Sequence, residues 1–237
     1  MNRRALVVLV AALAGALLCA RLGWWQLDRA AQKTALHQAM LAREALPPLD
    51  AASLARADDE VAAQLHRRVR LRGRWLAEHT VYLDNRQLDG HPGFFVLTPL
   101  LLAPGDAVLV QRGWVPRHAQ RRDQLAPVHT PDGVVQIDGR VAAGLSRLYE
   151  FDGAAAGPIR QNLAVADYAR EIALPLRPLA VVQLGADADG LRRQWPPPVA
   201  DVSKHYGYAA QWFALSALIT GLYVWFQLIR PRRDARR

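Results

Sequence analysis

Apolar and polar positions follow different rhythms along this chain, and each rhythm predicts a different element. Residues Ala5 to Ala20 carry no charge; Arg21 interrupts the run and Leu22-Gly-Trp-Trp-Gln-Leu27 resumes it. A second run, Tyr208 to Ile229, contains no charge at all. About 20 such residues cross a bilayer as a helix, so two transmembrane helices are expected, over 5–27 and 205–229. Tyr206, Tyr208 and Trp212 rim one end of the second run and Tyr223 and Trp225 the other, as interfacial aromatic belts do. Bulky Leu17-Leu18 just before Cys19 argues against a cleaved signal peptide and a lipid-modified cysteine, so the first helix is expected to be retained.

Between the runs the period shortens. Asp28 to Ala45 is polar and helix-permissive, extends the first helix, and stops at Pro47-Pro48. The Ala-rich span Asp50–Gln64 predicts a weak helix capped by Asp50. Val69 to Trp75 alternates strictly, apolar on one face and arginine on the other, as a half-buried strand does. Further strands are expected at Thr80–Leu83, Phe94–Leu102, Ala107–Arg112, Val135–Val141 and Leu179–Leu184. A turn-rich loop is expected at 84–93, and Pro99 predicts an edge position or a bulge. Gly73 and Gly139, each followed by arginine within a strand, predict bends in a strongly curved sheet. A short helix is expected at Ala164–Ile172 with Asn162 as its cap, and Trp195-Pro-Pro-Pro198 reads as a stiff lead into the second membrane helix. The expected fold is therefore two transmembrane α-helices flanking a mainly antiparallel β domain over 28–204, a small curved sheet or barrel with a few short helices.

Charge sets the topology. The formal net charge is +9 over 237 residues. Arg3 and Arg4 lie in the head (1–4), the tail (230–237) nets four positive charges, and three remain for everything between. A nucleic-acid face would concentrate charge on the folded body, so no nucleic-acid partner is expected. Arginine in both flanks makes both termini cytoplasmic by the positive-inside rule and the central domain periplasmic. The segment before the first helix lacks the composition of a transit peptide, which favours a multi-pass protein of the bacterial inner membrane. Cys19 is the only cysteine, which excludes disulfide staples, CxxC redox chemistry, CxxCH haem attachment and thiolate copper delivery.

Catalytic signatures are missing: there is no GxSxG elbow, HExxH pair or phosphate-cradling glycine loop. Ser203-Lys204 is a poor hydrolytic dyad, because adjacent helical residues point apart. His37, His66, His79, His91, His118 and His129 stand singly, without metal-pair spacing. His205 differs by position. At helical spacing it shares a face with Tyr208, Trp212 and Ser216, so an imidazole stands over an aromatic ladder. Two readings remain open from the residues: an interfacial histidine among belt aromatics, or an axial ligand to a haem lying against them.

Six motifs recur in an order that resembles a known family. They are Leu22-Gly-Trp-Trp-Gln-Leu-Asp-Arg29 with Lys33, Gly73-Arg-Trp75, Tyr82-Leu-Asp-Asn-Arg86, His91-Pro-Gly-Phe-Phe-Val-Leu-Thr-Pro99, Val110-Gln-Arg-Gly-Trp-Val-Pro-Arg117 and Ser203-Lys-His-Tyr-Gly-Tyr-Ala-Ala-Gln-Trp-Phe213. Over nearly its whole length the chain resembles the Surfeit locus protein 1 family of cytochrome c oxidase assembly factors. Ser203 stands where many relatives carry asparagine. The resemblance implies a protein that is not an enzyme and that aids haem a delivery or insertion into oxidase subunit I, with haem a held transiently. His205 matches the histidine that bacterial members are described as using for the haem iron. Tyr208 and Trp212 follow as pocket residues by geometry, and Arg112-Gly-Trp114 is expected to be structural. Implied partners are subunit I, haem a synthase and the lipid bilayer, with homo-oligomers left open. The alternative is a haem-free membrane chaperone that stabilises subunit I through the β domain.

Overall fold

The strand that alternates most strictly in sequence is the one whose burial alternates most strictly in space. In the computed structural model, which describes residues 3–118, 120–121, 125–142, 144–145, 157–187, 189–195 and 202–231, β1 (Arg68–Trp75) buries every second side chain without exception. Val69, Leu71 and Trp75 point into the core, while Arg68, Arg70, Arg72 and Arg74 face solvent. That is the period-two geometry of a strand with one wet face.

Six further strands complete the sheet: β2 (Val81–Leu88), β3 (His91–Ala103), β4 (Asp106–Pro116), β5 (Val134–Ala142), β6 (Ile159–Arg160) and β7 (Leu176–Gln183). Their order is β1-β5-β7-β4-β3-β2-β6, and β1 also pairs with β3 through Arg74↔Leu101 and Trp75↔Leu100. Five strands therefore close into a barrel, with β2 and β6 continuing outward from β3. Closure leaves few exposed edges to manage. Pairing is antiparallel except for β4–β7 and β2–β6, which are parallel. β4 is buried on both faces from Ala107 to Val115, as a central strand between two apolar layers must be. One layer gathers Val69, Leu71, Leu100, Val108, Val110, Ile137 and Val181; a second gathers Val81, Leu83, Leu97, Leu109 and Tyr168.

Several expectations change. The segment 84–93 is not a loop: β2 runs through to Leu88, kinked where its register with β3 shifts between Leu83 and Arg86 and Asn85 takes a φ of 60°. A bulge of this kind looks like a turn in sequence because it borrows the same Asp-Asn chemistry. Pro99 lies neither at an edge nor at a bulge. It pairs with Leu109 where β3 exchanges one neighbour for another, β2 ending at Val81↔Leu97 and β1 joining at Leu100, so no ladder partner needs the missing N–H. The β1–β5 register is unbroken, so Gly73 and Gly139 are not bulges; they are close approaches, a Cβ on Gly139 falling 2.5 Å from Val181 Cγ1.

The helix expected from Asp50 is shorter. Asp50 caps only a turn, accepting from the Ser53 amide at 2.9 Å, and α2 covers Asp58–Gln64. The Glu60 carboxylate folds back to accept from the Arg56 amide at 2.8 Å. α3 (Val165–Glu171) forms as expected, with Ala164 rather than Asn162 at the cap position.

The chain divides into two compact units, Met40–Pro196 and Met1–Ala39 with Pro197–Arg237. The second holds most of α1 (Arg3–Glu44) together with α4 (Ser203–Tyr223), which runs on as a π-helical stretch over Val224–Ile229. Both helices are long and apolar enough to cross a membrane. A core helix of a soluble protein would hide its apolar window; here 6% of it is buried in α1 and 0% in α4. The prolines after Trp195 and the arginines beyond Pro231 lie outside the described residues.

Candidate functional site

The two helices meet along a row of small residues. Gly15, Cys19 and Gly23 recur every four positions on α1, so one stripe of the helix has almost no side-chain bulk. Into it α4 packs Phe213, whose ring occupies the place a Gly23 side chain would need: a Cβ there would lie 2.8 Å from the ring. Trp24 meets the same ring edge to face at 6.1 Å. Ser216 Oγ–H donates to the Ala16 carbonyl at 2.8 Å, a polar contact suited to a segment where water offers no alternative.

This packing decides which α4 residues face inward. His205, Trp212, Phe213 and Ser216 are half-buried and Ala209 is buried. Tyr208 stands a sixth of a turn off the His205–Ser216 line and is 52% exposed. The structure thus gathers His205, Trp212 and Ser216 on one side of the helix and leaves Tyr208 on its flank.

His205 occupies the first turn of α4, and its backbone N–H donates to the Val202 carbonyl at 3.0 Å. Its Nδ1 lies 2.7 Å from Gln26 Oε1 on α1. With the amide oxygen as acceptor, the proton sits on Nδ1 and Nε2 keeps its lone pair. No described side chain bonds that second nitrogen. One imidazole nitrogen left without a partner, on the helix side that carries Trp212 two turns further on, suits a single axial bond to a flat apolar macrocycle. It does not suit a bare metal ion, and no group of three or more His, Cys, Asp or Glu among the described residues could hold one. Gln26 was not singled out by the sequence reading. The signal was there, a lone amide within the apolar run of 22–27.

The other histidines lie apart. His91 Nδ1 contacts the Asp89 carbonyl oxygen at 3.0 Å, and His118 Nδ1 accepts from the amides of Gln120 and Arg121. His66, in the β unit, is held below its ordinary pKa by burial and by the nearby Arg140 and Arg43 charges.

Arg112 and Trp114 are both packed inside the β unit. Arg112 is fully buried at a register shift of β4 against β3, donates to Thr130 Oγ1 and the His129 carbonyl, and stacks 4.6 Å from the Trp75 ring. Burial lowers its pKa, partly offset by Asp189. Trp114 donates its Nε1–H to the Arg86 carbonyl at 2.8 Å, and its backbone exchanges two hydrogen bonds with Arg192. These groups fasten the segment after β7 onto β4.

Comparison with known proteins identifies the family. The profile of the SURF1 family matches residues 13–217, from within α1 to within α4. A SURF1-like protein of Rickettsia felis is 25% identical over 210 residues, covering 86% of this chain and 89% of its own. One from Rickettsia conorii is 24% identical over 210 residues, covering 86% and 84%. The Surfeit locus protein 1 of Arabidopsis thaliana is 33% identical over 113 residues, covering 44% of this chain and 32% of its own. With the family's profile spanning both helices and the barrel between them, the chain belongs to the SURF1 family.

Proposed function

We propose that this protein is a membrane-anchored, non-enzymatic assembly factor for haem a-type cytochrome c oxidase that holds haem a in transit to subunit I. The observation that carries the reading is the state of His205: one ring nitrogen is tied to Gln26 at 2.7 Å and the other is available. The cargo's iron would take Nε2 as one axial ligand, and Trp212 and Tyr208 would offer its ring an apolar surface. A carrier must also release, and one ligand lets go more readily than two.

In this reading α1 and α4 cross a bacterial inner membrane with both termini cytoplasmic, and the barrel stands in the periplasm. Haem a synthase is the donor and subunit I the acceptor. The test is His205→Ala, produced together with the enzymes of haem a synthesis and purified in detergent. The variant should remain in the membrane and lose the copurifying Soret band. Unchanged haem content would refute the ligand assignment.

One observation favours a second reading, a haem-free chaperone for subunit I. The β unit carries a groove of about 790 Å³, lined largely by apolar side chains including Leu145, Leu163, Val165 and Leu176. That reading expects a colourless protein and greater sensitivity to changes near Trp114 than at His205.

A further inference from the structure

We propose that Gln26 is the positioning residue of His205, and that its being an amide rather than a carboxylate sets how firmly this site holds iron. The inference rests on the His205 reading above and deepens it. The contact joins residues 179 apart in sequence, at 2.7 Å, across the seam of α1 and α4. Around it the α1 side chains Leu22, Leu27 and Ala30 have nothing to offer an imidazole. Arg29, one turn on, is exposed and donates to Gln32 instead, so Gln26 is the α1 side chain observed to reach the ring, fixing its rotation and its tautomer together.

Both effects matter for a ligand. An untethered imidazole divides between two tautomers and rotates about χ2, so the donor nitrogen is correctly aimed for only part of the time. Accepting from Nδ1–H puts the lone pair on Nε2 and turns it to one side. The two helices are packed closely below this contact: Phe213 fills the stripe at Gly23, one turn below, and Ser216 is bonded to Ala16 further along.

The choice of amide has a further consequence. A carboxylate in the same place would draw the Nδ1 proton more strongly, make the imidazole more basic and strengthen its bond to ferric iron. Glutamine orients without that increase, which suits a holder whose cargo must leave.

The test titrates the full-length protein, purified in detergent, with ferric haem a, following the Soret band and then the midpoint potential of the bound haem. Gln26→Leu, which keeps bulk but cannot accept a hydrogen bond, should bind 10- to 100-fold more weakly, the usual cost of losing a partner behind a metal-ligating histidine. Gln26→Glu should bind at least as tightly as the unmodified protein, release haem more slowly to apomyoglobin, and show a more negative midpoint potential. A merely structural role would not move that potential. If Gln26→Leu binds within threefold of the unmodified protein while His205→Ala does not bind, the positioning role is wrong and the ligand assignment stands. A Glu variant with an unmoved potential also overturns the positioning role. If His205→Ala binds normally, the ligand assignment itself has failed, whatever the Gln26 variants do.

Discussion

The barrel and the helix pair use polar side chains in opposite ways. In the β unit, two guanidinium groups are driven into the interior and occupied there: Arg177 makes a bidentate contact with Asp106 at 2.8 and 2.7 Å, and Arg193 donates to the carbonyls of Arg112 and Ala186. In the helix pair the contact between His205 and Gln26 occupies one ring nitrogen, and no described side chain bonds the other. A buried charge with its bonds made is an architectural device, since removing its partner costs far more than the pair contributes. A half-occupied imidazole has chemistry to spare. The contrast sets His205 apart from the buried arginines of the β unit.

The largest effect that would test this contrast is at Asp106. Asp106→Ala would strand Arg177, whose side chain is only 3% exposed, without its carboxylate. A loss of about 3–5 kcal/mol is expected for breaking a buried pair from one side, read as a fall in the denaturation midpoint of the β unit by tryptophan fluorescence. The same residue sets an acid limit. Hydrogen bonds from Arg177, and its charge, hold the Asp106 carboxyl below its usual 3.8. A depressed folded-state pKa contributes stability that is complete above the unfolded value and is lost as pH falls through the folded one. The β unit should thus keep its full stability at neutral pH and begin to lose it below about pH 4. An Asp106→Ala protein should lose that component of the acid slope.

Next in size is Gly113→Ala. A Cβ at this position would fall 2.6 Å from Leu191 Cβ and 3.0 Å from the Arg192 carbonyl. Both belong to the segment paired with Trp114, so neither can retreat cheaply, and overpacking should cost about 1–3 kcal/mol. The expected outcome is a lower melting temperature with His205 still tied to Gln26. Loss of haem binding in a folded Gly113→Ala protein would contradict the separation of architecture from chemistry.

How far the residues announced all this depends on how local the cause is. β1 and β5 were legible because a half-buried strand writes its own period. β2 beyond Leu83 was not, since Asp84-Asn85 satisfies a bulge with the residues that also make turns. β6, two residues long, has no period to detect. The barrel was anticipated as a curved sheet, but its closure rests on two β1–β3 pairs between residues some 26 positions apart, Arg74↔Leu101 and Trp75↔Leu100. His205 stood out by its place beside aromatics. Gln26 did not, because its meaning comes from a partner on the other helix. Tyr208 was assigned to the His205 face on i+3 spacing, which leaves it a sixth of a turn off the line that packs against α1.

Gly23→Ala probes the helix pair alone. The added methyl meets only the far edge of the Phe213 ring, at 2.8 Å, so the ring should move off its rotamer at about 0.5–1.5 kcal/mol. The β unit's denaturation should not change. Haem affinity should fall a fewfold through the displaced α1–α4 seam, and an unchanged affinity would show that the seam tolerates the shift.

The smallest expected effect is on the outer face of β1. Arg72 and Arg74 face solvent opposite Gln136 and Val134, and no described side chain pairs with either. Arg70, by contrast, meets Asp138 at 2.8 Å with both partners more than half exposed, a pair worth little in water. Replacing Arg72 and Arg74 together with serine should leave stability within about 0.5 kcal/mol per site, and copurifying haem unaltered. The row would then be what its alternation first implied, the wet side of a strand. A drop in oxidase assembly without a drop in stability or haem would instead make that row part of the docking surface for an acidic partner, and the barrel would carry function of its own.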